Sequence, residues 1–311
     1  MHTSNRCSYC GQDQNFKIHQ VKEMMFGTGE SFQYAECTNC GSLSLIDTPE
    51  DLSAYYPNEY YSFLPLVKSS FGKNLLKALR YNLFQLTGKK SLSPVFGKWF
   101  EYLQPSKSSR IADIGCGNGQ LLYEMYAAGF SHLRGYDPFI DEELDLGKKL
   151  RLERKSIFEI EGIFDVIMLH HALEHMGEPE KVLNRCYELL ETNGQLLIRM
   201  PISDSKVWKD EGVSWVQLDA PRHLHIPSVE GLKALARESG LECREVVFDS
   251  SEFQFWGTEL VKMKKPLSKV KADETFTRQD LARWRKKSNL YNQKAVGDQA
   301  CFYFFKPSRP K

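Results

Sequence analysis

Residues 110–122, RIADIGCGNGQLL, hold the densest chemistry of the chain. Ile111-Ala112-Asp113-Ile114 is an apolar run of the kind that forms a buried parallel strand. It breaks into Gly115-Cys116-Gly117-Asn118-Gly119, and an amphipathic run follows over 120–125. The order is strand, glycine loop, helix. Three alternate glycines let the main chain turn and approach a ligand with no Cβ in the way. The helix start behind them offers free N–H groups to a carboxylate or phosphate. The spacing is G-x-G-x-G, because Gln120 stands where a dinucleotide loop has its third glycine. Asp113 on the strand would repel a pyrophosphate but can accept hydrogen bonds from an ammonium. Asp137, about 20 residues beyond the loop, is placed to bind both hydroxyls of a ribose.

Four cysteines make a second constellation. Cys7-x-x-Cys10 and Cys37-x-x-Cys40 each sit at a turn, with a glycine next. A unit of roughly 40 residues with so few apolar side chains does not hold together alone. Four thiolates on one Zn²⁺ supply the missing free energy, and four sulfurs leave no open position for catalysis. A structural site is expected. The alternative is four unliganded thiols in a loose tail.

Histidines supply the third. His171, Glu174 and His175 lie at i, i+3 and i+4, one face of a helical turn. Arg222, His223 and His225 lie in a long loop after a strand, where α/β enzymes place substrate chemistry. Histidine suits proton transfer near neutral pH. His223 and His225 are the first choices for base or substrate contact, and Arg222 for a substrate anion. The competing reading is that His223 pins its loop.

The elements that must position these groups follow in order. Residues 133–138, 150–160 and 164–169 read as the second, third and fourth strands, and 195–201 as the fifth, after a helix over 180–191 and a turn at Thr192-Asn193-Gly194. A helix over 228–239, a strand over 241–248 and a final antiparallel strand over 300–306 complete the core. Ahead of it, Thr48-Pro49-Glu50-Asp51 reads as a helix start. An aromatic cluster at 55–63 packs over a ligand pocket or glues the cysteine unit to the core. Two helices over 71–86 and 95–103 form a cap with nine basic residues and one acid, Glu101, between 68 and 110. That basic face is a solvated surface or a site for an anionic substrate such as a nucleotide-sugar or phospholipid. Residues 262–287 form a basic insertion, helical near 277–289.

The glycine loop, the acid at the second strand and the 164–179 segment, FDVIMLHHALEHMGEP, resemble the class I S-adenosylmethionine-dependent methyltransferases. The matches run in order from Arg110 to Pro201. The resemblance implies a Rossmann-like α/β fold, a doubly wound, mostly parallel seven-stranded sheet, with 1–48 a zinc-ribbon-like unit, 49–108 a helical linker and cap, and 109–311 the methyltransferase domain. It implies that S-adenosylmethionine is bound by Asp113, Gly115, Cys116, Gly117, Asn118, Asp137, Pro138, Ser156, Ile157, Leu169 and His170. Some such enzymes carry Glu-x-x-Glu-His and a divalent metal where this chain has His171, Glu174 and His175. The histidine in first place favours Zn²⁺ or Fe over Mg²⁺, and ordinary hydrogen bonding is the alternative. The pattern is also similar to bacterial glycan and deoxysugar methyltransferases, which implies a small-molecule acceptor, a nucleotide-linked sugar among them.

Composition sets the outer bounds. The 311 residues carry 41 basic and 40 acidic side chains, a net charge of +1. That balance argues against a general nucleic-acid binder, although the cysteine unit and two basic stretches keep an RNA methyltransferase as the main rival. A cofactor-binding regulator without turnover is the third reading. No apolar run has membrane-spanning length, and the N-terminus lacks a signal peptide's apolar core, so a cytoplasmic enzyme with reduced thiols is expected.

Overall fold

The computed structural model describes residues 6–13, 15–56 and 65–308. Three strands come first: β1 (Phe16–Lys22), β2 (Ser31–Cys37) and β3 (Leu43–Leu45). The expected helix after Thr48 is a single 3₁₀ turn, Ser53–Tyr55, and most of the aromatic cluster, 57–63, lies outside the described residues. Helices α1 (Phe71–Thr87) and α2 (Gly97–Leu103) follow. The core then alternates: β4 (Arg110–Ile114), α3 (Gln120–Ala127), β5 (His132–Tyr136), β6 (Leu144–Asp145), β7 (Leu150–Glu153), β8 (Phe164–His170), α4 (Pro179–Leu189) and β9 (Leu190–Pro201). After it come α5 (Lys206–Glu211), β10 (His225–Ile226), α6 (Val229–Glu238), β11 (Glu242–Phe248), α7 (Phe253–Lys262), α8 (Ala272–Thr275), α9 (Arg278–Gln293) and β12 (Gln299–Phe305).

The large sheet is a mixed, Rossmann-like sheet of eight strands, in the order β11-β12-β9-β8-β4-β5-β7-β6. Strands β7, β5, β4, β8 and β9 are parallel. β12 enters antiparallel between β9 and β11. The eighth strand is β6, two residues antiparallel to β7 at the edge. It is too short to carry a periodicity, and the sequence expectation of seven strands therefore missed it. The expected turn at Thr192-Asn193-Gly194 is drawn into the start of β9, with Asn193 at φ 63°.

Alternate side chains of each parallel strand feed two cores. Ala112, Ile167, Leu196 and Ile198 pack with α4 and α6, whereas Ile111, Val166, Met168 and Leu197 pack with α1, α2 and α3. In α1 only Tyr81 and Phe84 are buried; the leucines that marked the helix in sequence face outward.

A second sheet, β1-β2-β3-β10, joins the cysteine unit to the loop after β9. β10 lies antiparallel on β3, His225 opposite Ser44. The Tyr34 hydroxyl, fully buried, donates to the carbonyls of Leu218 (2.9 Å) and His223 (2.5 Å). Arg222 and Glu23 are both 0 % exposed and bond at 3.1 Å, and Arg222 also clasps Asp219 through Nε (3.0 Å) and a terminal nitrogen (2.6 Å). Glu23 in turn accepts the backbone N–H groups of Phe26 and Thr28. The expected substrate contact of Arg222 is corrected: a guanidinium with no exposed surface and two carboxylate partners is a joint between sheets.

Removing one member of such a buried group leaves bare charge behind, which costs about 3–5 kcal/mol. In a urea titration, Arg222→Met is expected to lose about that much, because Glu23 and Asp219 lose their shared cation in a dry site. Adding Glu23→Gln should recover part of the loss. A loss below about 1 kcal/mol would show that the joint is loose.

Candidate functional site

The loop between β4 and α3 lies at the carboxyl ends of the parallel strands, where open α/β sheets bind ligands. Gly115 has φ 74°, and a Cβ there would come within 2.5 Å of the Ala172 side chain. Gly119, also at φ 74°, packs on Leu152, which a Cβ would reach at 2.3 Å. Both positions need glycine for conformation and for space. The loop is tied to β5 by Gly115 N–H and Cys116 N–H, both donating to the Tyr136 carbonyl. Asp137 follows β5 directly. Its carboxylate accepts the Gly117 N–H at 3.0 Å and the Phe139 N–H at 2.9 Å, so the acid is fixed against the loop.

Asp113 is buried at the end of β4, and its Oδ1 has no hydrogen-bond partner among the described residues. Burial, and then the charge of Asp137, push its carboxyl up to about 8. A buried carboxylate oxygen without a donor suits an incoming ammonium. His170 ends β8. Its ring lies against Trp99, centroids 4.1 Å apart, and both ring nitrogens are buried without partners. Burial holds it well below the usual imidazole range, so it is neutral. Ser156 caps the turn Ile157–Glu159 after β7 in a reciprocal capping box with Glu159, and Ile157 is buried. The structure thus brings together a tight loop, an acid at the end of the second parallel strand and an orphan acceptor. A cavity of about 320 Å³ opens beside Asn118 and Leu152, edged by Asp141, Glu142 and Lys68.

The turn Leu173–His175 begins three residues past β8, and Ala172 carries it across Gly115. Here the structure brings in a residue that sequence spacing had placed elsewhere. Glu174, His175 and His223 present ligand atoms within 4.8 Å of one another. Glu174 is 0 % exposed; Oε1 accepts from His171 Nδ1 at 3.1 Å, and Oε2 has no partner among the described residues. Burial alone would raise Glu174, but the His171 bond and the nearby histidine charges bring it down to about 2. His175 Nδ1 meets the Arg222 carbonyl at 2.9 Å, and His223 Nδ1 meets the Gln217 carbonyl at 2.7 Å. Each contact fixes the proton on Nδ1 and leaves Nε2 as a lone pair. Burial and the neighbouring His223 push His175 down to about 4.

His171 and His225 differ from their sequence expectation. His171, at φ 52°, is held between Glu174 and Arg199, whose guanidinium meets Nε2 at 2.6 Å and also donates to Asp249 at 2.6 Å. It orients Glu174 and has no nitrogen left for a substrate. His225 is likewise spent, on the Tyr9 hydroxyl and the Met176 carbonyl. Both are positioning residues. Arg199, whose guanidinium carbon lies 5.8 Å from the Trp99 ring, and Trp99 itself had no role in the sequence analysis; a charge in mid-strand was the signal available for Arg199.

The four cysteines close on one point, with sulfur separations of 3.7 Å (Cys7–Cys40) and 3.8 Å (Cys10–Cys37). A Zn–S bond of about 2.3 Å gives tetrahedral edges of about 3.8 Å. The set fits zinc.

Comparison with known proteins agrees with the geometry. A family described as a methyltransferase domain matches residues 90–246, half of the chain. A tRNA U34 carboxymethyltransferase of Helicobacter pylori (strain G27) is 30 % identical over 156 residues, 46 % of this chain and 60 % of that protein. A ubiquinone biosynthesis O-methyltransferase of Pseudomonas aeruginosa is 26 % identical over 50 % of this chain and 74 % of its own length. The chain thus spans well under the full length of the first of these. Neither name points to a sugar. Among solved structures, a sarcosine dimethylglycine methyltransferase from Galdieria sulphuraria matches with a TM-score of 0.44 and 16 % identity over 75 % of this chain and 86 % of that one. With its glycine loop, its paired acids and its matched core, the chain belongs to the S-adenosylmethionine-dependent methyltransferase-domain family.

Proposed function

We propose that this enzyme methylates a hydroxyl of a small-molecule acceptor held at Glu174, His175 and His223, with Zn²⁺ in the cysteine unit as a structural ion. The convergence of those three side chains, two of them on the turn that follows Ala172, is the observation that carries the reading. S-adenosylmethionine supplies a methyl group on a sulfonium, which is already a good leaving group. The protein's task is then to hold the acceptor close and aligned, and to take its proton.

Asp137 would hold the cofactor's ribose and Asp113 its ammonium. The second pairing needs an ionised Asp113. Because its carboxyl is raised to about 8, most of it is protonated at pH 6, and binding there must release a proton. Affinity for S-adenosylhomocysteine is therefore expected to rise by up to about tenfold per pH unit from 6 to 8 and then level off. Calorimetry in buffers of different ionisation enthalpy should show the released proton, and Asp113→Asn should flatten the profile. A flat profile in the native enzyme removes this role from Asp113.

His223 is the base in this reading. Nδ1–H is spent on Gln217, Nε2 has no hydrogen bond among the described residues, and the Asp219 carboxylate stands 4.0 Å from Nε2 to steady the imidazolium. His175, held neutral, accepts or aligns the hydroxyl, and Glu174 Oε2 faces the same space. Small-molecule and RNA fractions of a cell extract can be offered separately and the release of S-adenosylhomocysteine followed. Turnover is expected with the small-molecule fraction. His223→Ala should lose about 10²–10⁴ in kcat while product affinity stays within about threefold. Turnover with the RNA fraction alone, falling steeply with salt, would favour the RNA reading. Against it, the basic helix α9 spends part of its charge internally, Arg285 on Glu252 and Lys287 over Phe255 and Tyr291.

Metal analysis is expected to give one zinc per chain. Cys40→Ser should lose it, lower Tm and weaken turnover, because the loop bearing His223 is paired to β3 of the same unit. Zinc retained at one per chain in that variant would place the ion elsewhere.

A further inference from the structure

The exposed side of α1 has no counterpart in the catalytic reading. Phe71, Leu75, Leu76, Leu79, Leu83 and Leu86 are 86, 63, 65, 53, 40 and 82 % exposed. At 100° per residue they fall within one arc of roughly 140°, a broad apolar stripe along the whole helix. The opposite side, with Tyr81 and Phe84, is the one packed on the core. Burying a stripe of this kind is worth far more than the scattered exposed leucine of an ordinary surface.

The charged groups beside it carry one sign and lie along one flank: Arg80 and Lys73 stand roughly 40° and 60° beyond one edge of the stripe, and the other edge, at Asn74, Ala78 and Gln85, is uncharged. α1 contains Lys73, Lys77 and Arg80 and no acid, and Lys89 and Lys90 follow in the exposed turn after it. Lys77 is paired with Glu124 at 2.7 Å; Lys73 and Lys90 lie at the surface. Two copies meeting on this face would bring like charges near one another, with no acid on either helix to offset them. A surface of anionic headgroups over an apolar interior answers both the stripe and its basic flank. The same segment is tied to the cofactor side of the core: Val67 N–H donates to Gln120 Oε1, and Ser69 N–H to the Tyr123 hydroxyl, both on α3 behind the glycine loop.

We propose that α1 is an interfacial anchor that lays its apolar stripe into an anionic lipid bilayer, with its basic flank and the lysines after its C-terminal end at the headgroups. No helix among the described residues is long and apolar enough to cross a membrane, so the anchor lies on the surface.

Flotation of the full chain with vesicles tests this without any acceptor. Binding to phosphatidylcholine mixed with phosphatidylglycerol is expected to exceed binding to phosphatidylcholine alone by about tenfold and to fall with salt. Leu75→Asp with Leu79→Asp should lower it about tenfold or more, with circular dichroism unchanged because both positions are exposed. Lys73→Glu with Lys90→Glu should abolish the preference for the anionic vesicles. Equal binding to both vesicle types, or to neither, overturns the proposal. So does a dimer in sedimentation equilibrium that the paired aspartates split, which would assign the stripe to a second copy.

Discussion

Three charged side chains in a dry place set the geometry of the active region. Arg222 sits between Asp219 and Glu23 with no exposed surface. Their attraction offsets the cost of leaving water only when the remaining hydrogen-bonding positions are also filled. They are filled here: Glu23 takes two backbone N–H groups, Arg222 reaches the Tyr55 carbonyl at 3.3 Å, and the Phe26 ring lies 5.2 Å from the guanidinium carbon. An apolar replacement could match the stability but would slide. The charged set accepts one register between the turn after β1 and the loop before β10, and that register aims His223.

The opposite wall uses the same device with weaker burial. Asp249, Arg199, His171 and Glu174 form a chain of short contacts that ends on the orphan Oε2. His171 pays for its place with a left-handed backbone, a cost of about 1–3 kcal/mol that persists only where the surroundings fix it. The two walls have different origins, one from the large sheet and one from the small. The proposed acceptor site is therefore a seam between sheets, and the cysteine unit is part of its frame: Tyr9 bonds His225, and Ser203 bonds the Gly41 carbonyl.

The sequence made the large sheet legible because each of its signals is local. A glycine loop after an apolar run, an acid at the next strand and a 3.6-residue period in α4 and α6 are set within a dozen residues each. The cysteine pairs were legible by spacing alone. The seam was not. His223, His225 and Arg222 look alike in sequence, three polar groups in four positions of one loop. Only the partner each one meets across 150 residues or more of chain, Glu23 for Arg222 and Tyr9 for His225, separates two that are buried and spent from one that keeps a free nitrogen. The same limit hid the role of α1: periodicity marks an apolar face but is silent on whether the core or the outside receives it.

The glycine loop itself shows how little sequence is needed when the field has one sign. Burial and the nearby Asp137 raise the cost of ionising Asp113, and Asp137 already occupies the Gly117 N–H that a phosphate would seek. A pyrophosphate would find that donor taken, would stand against Asp137, and would oppose any ionisation of Asp113. A nucleoside with a cationic tail enters with the field and relieves the repulsion as it binds. The preference between the two ligand classes is then built into two aspartates and one N–H, before any shape of the pocket is considered.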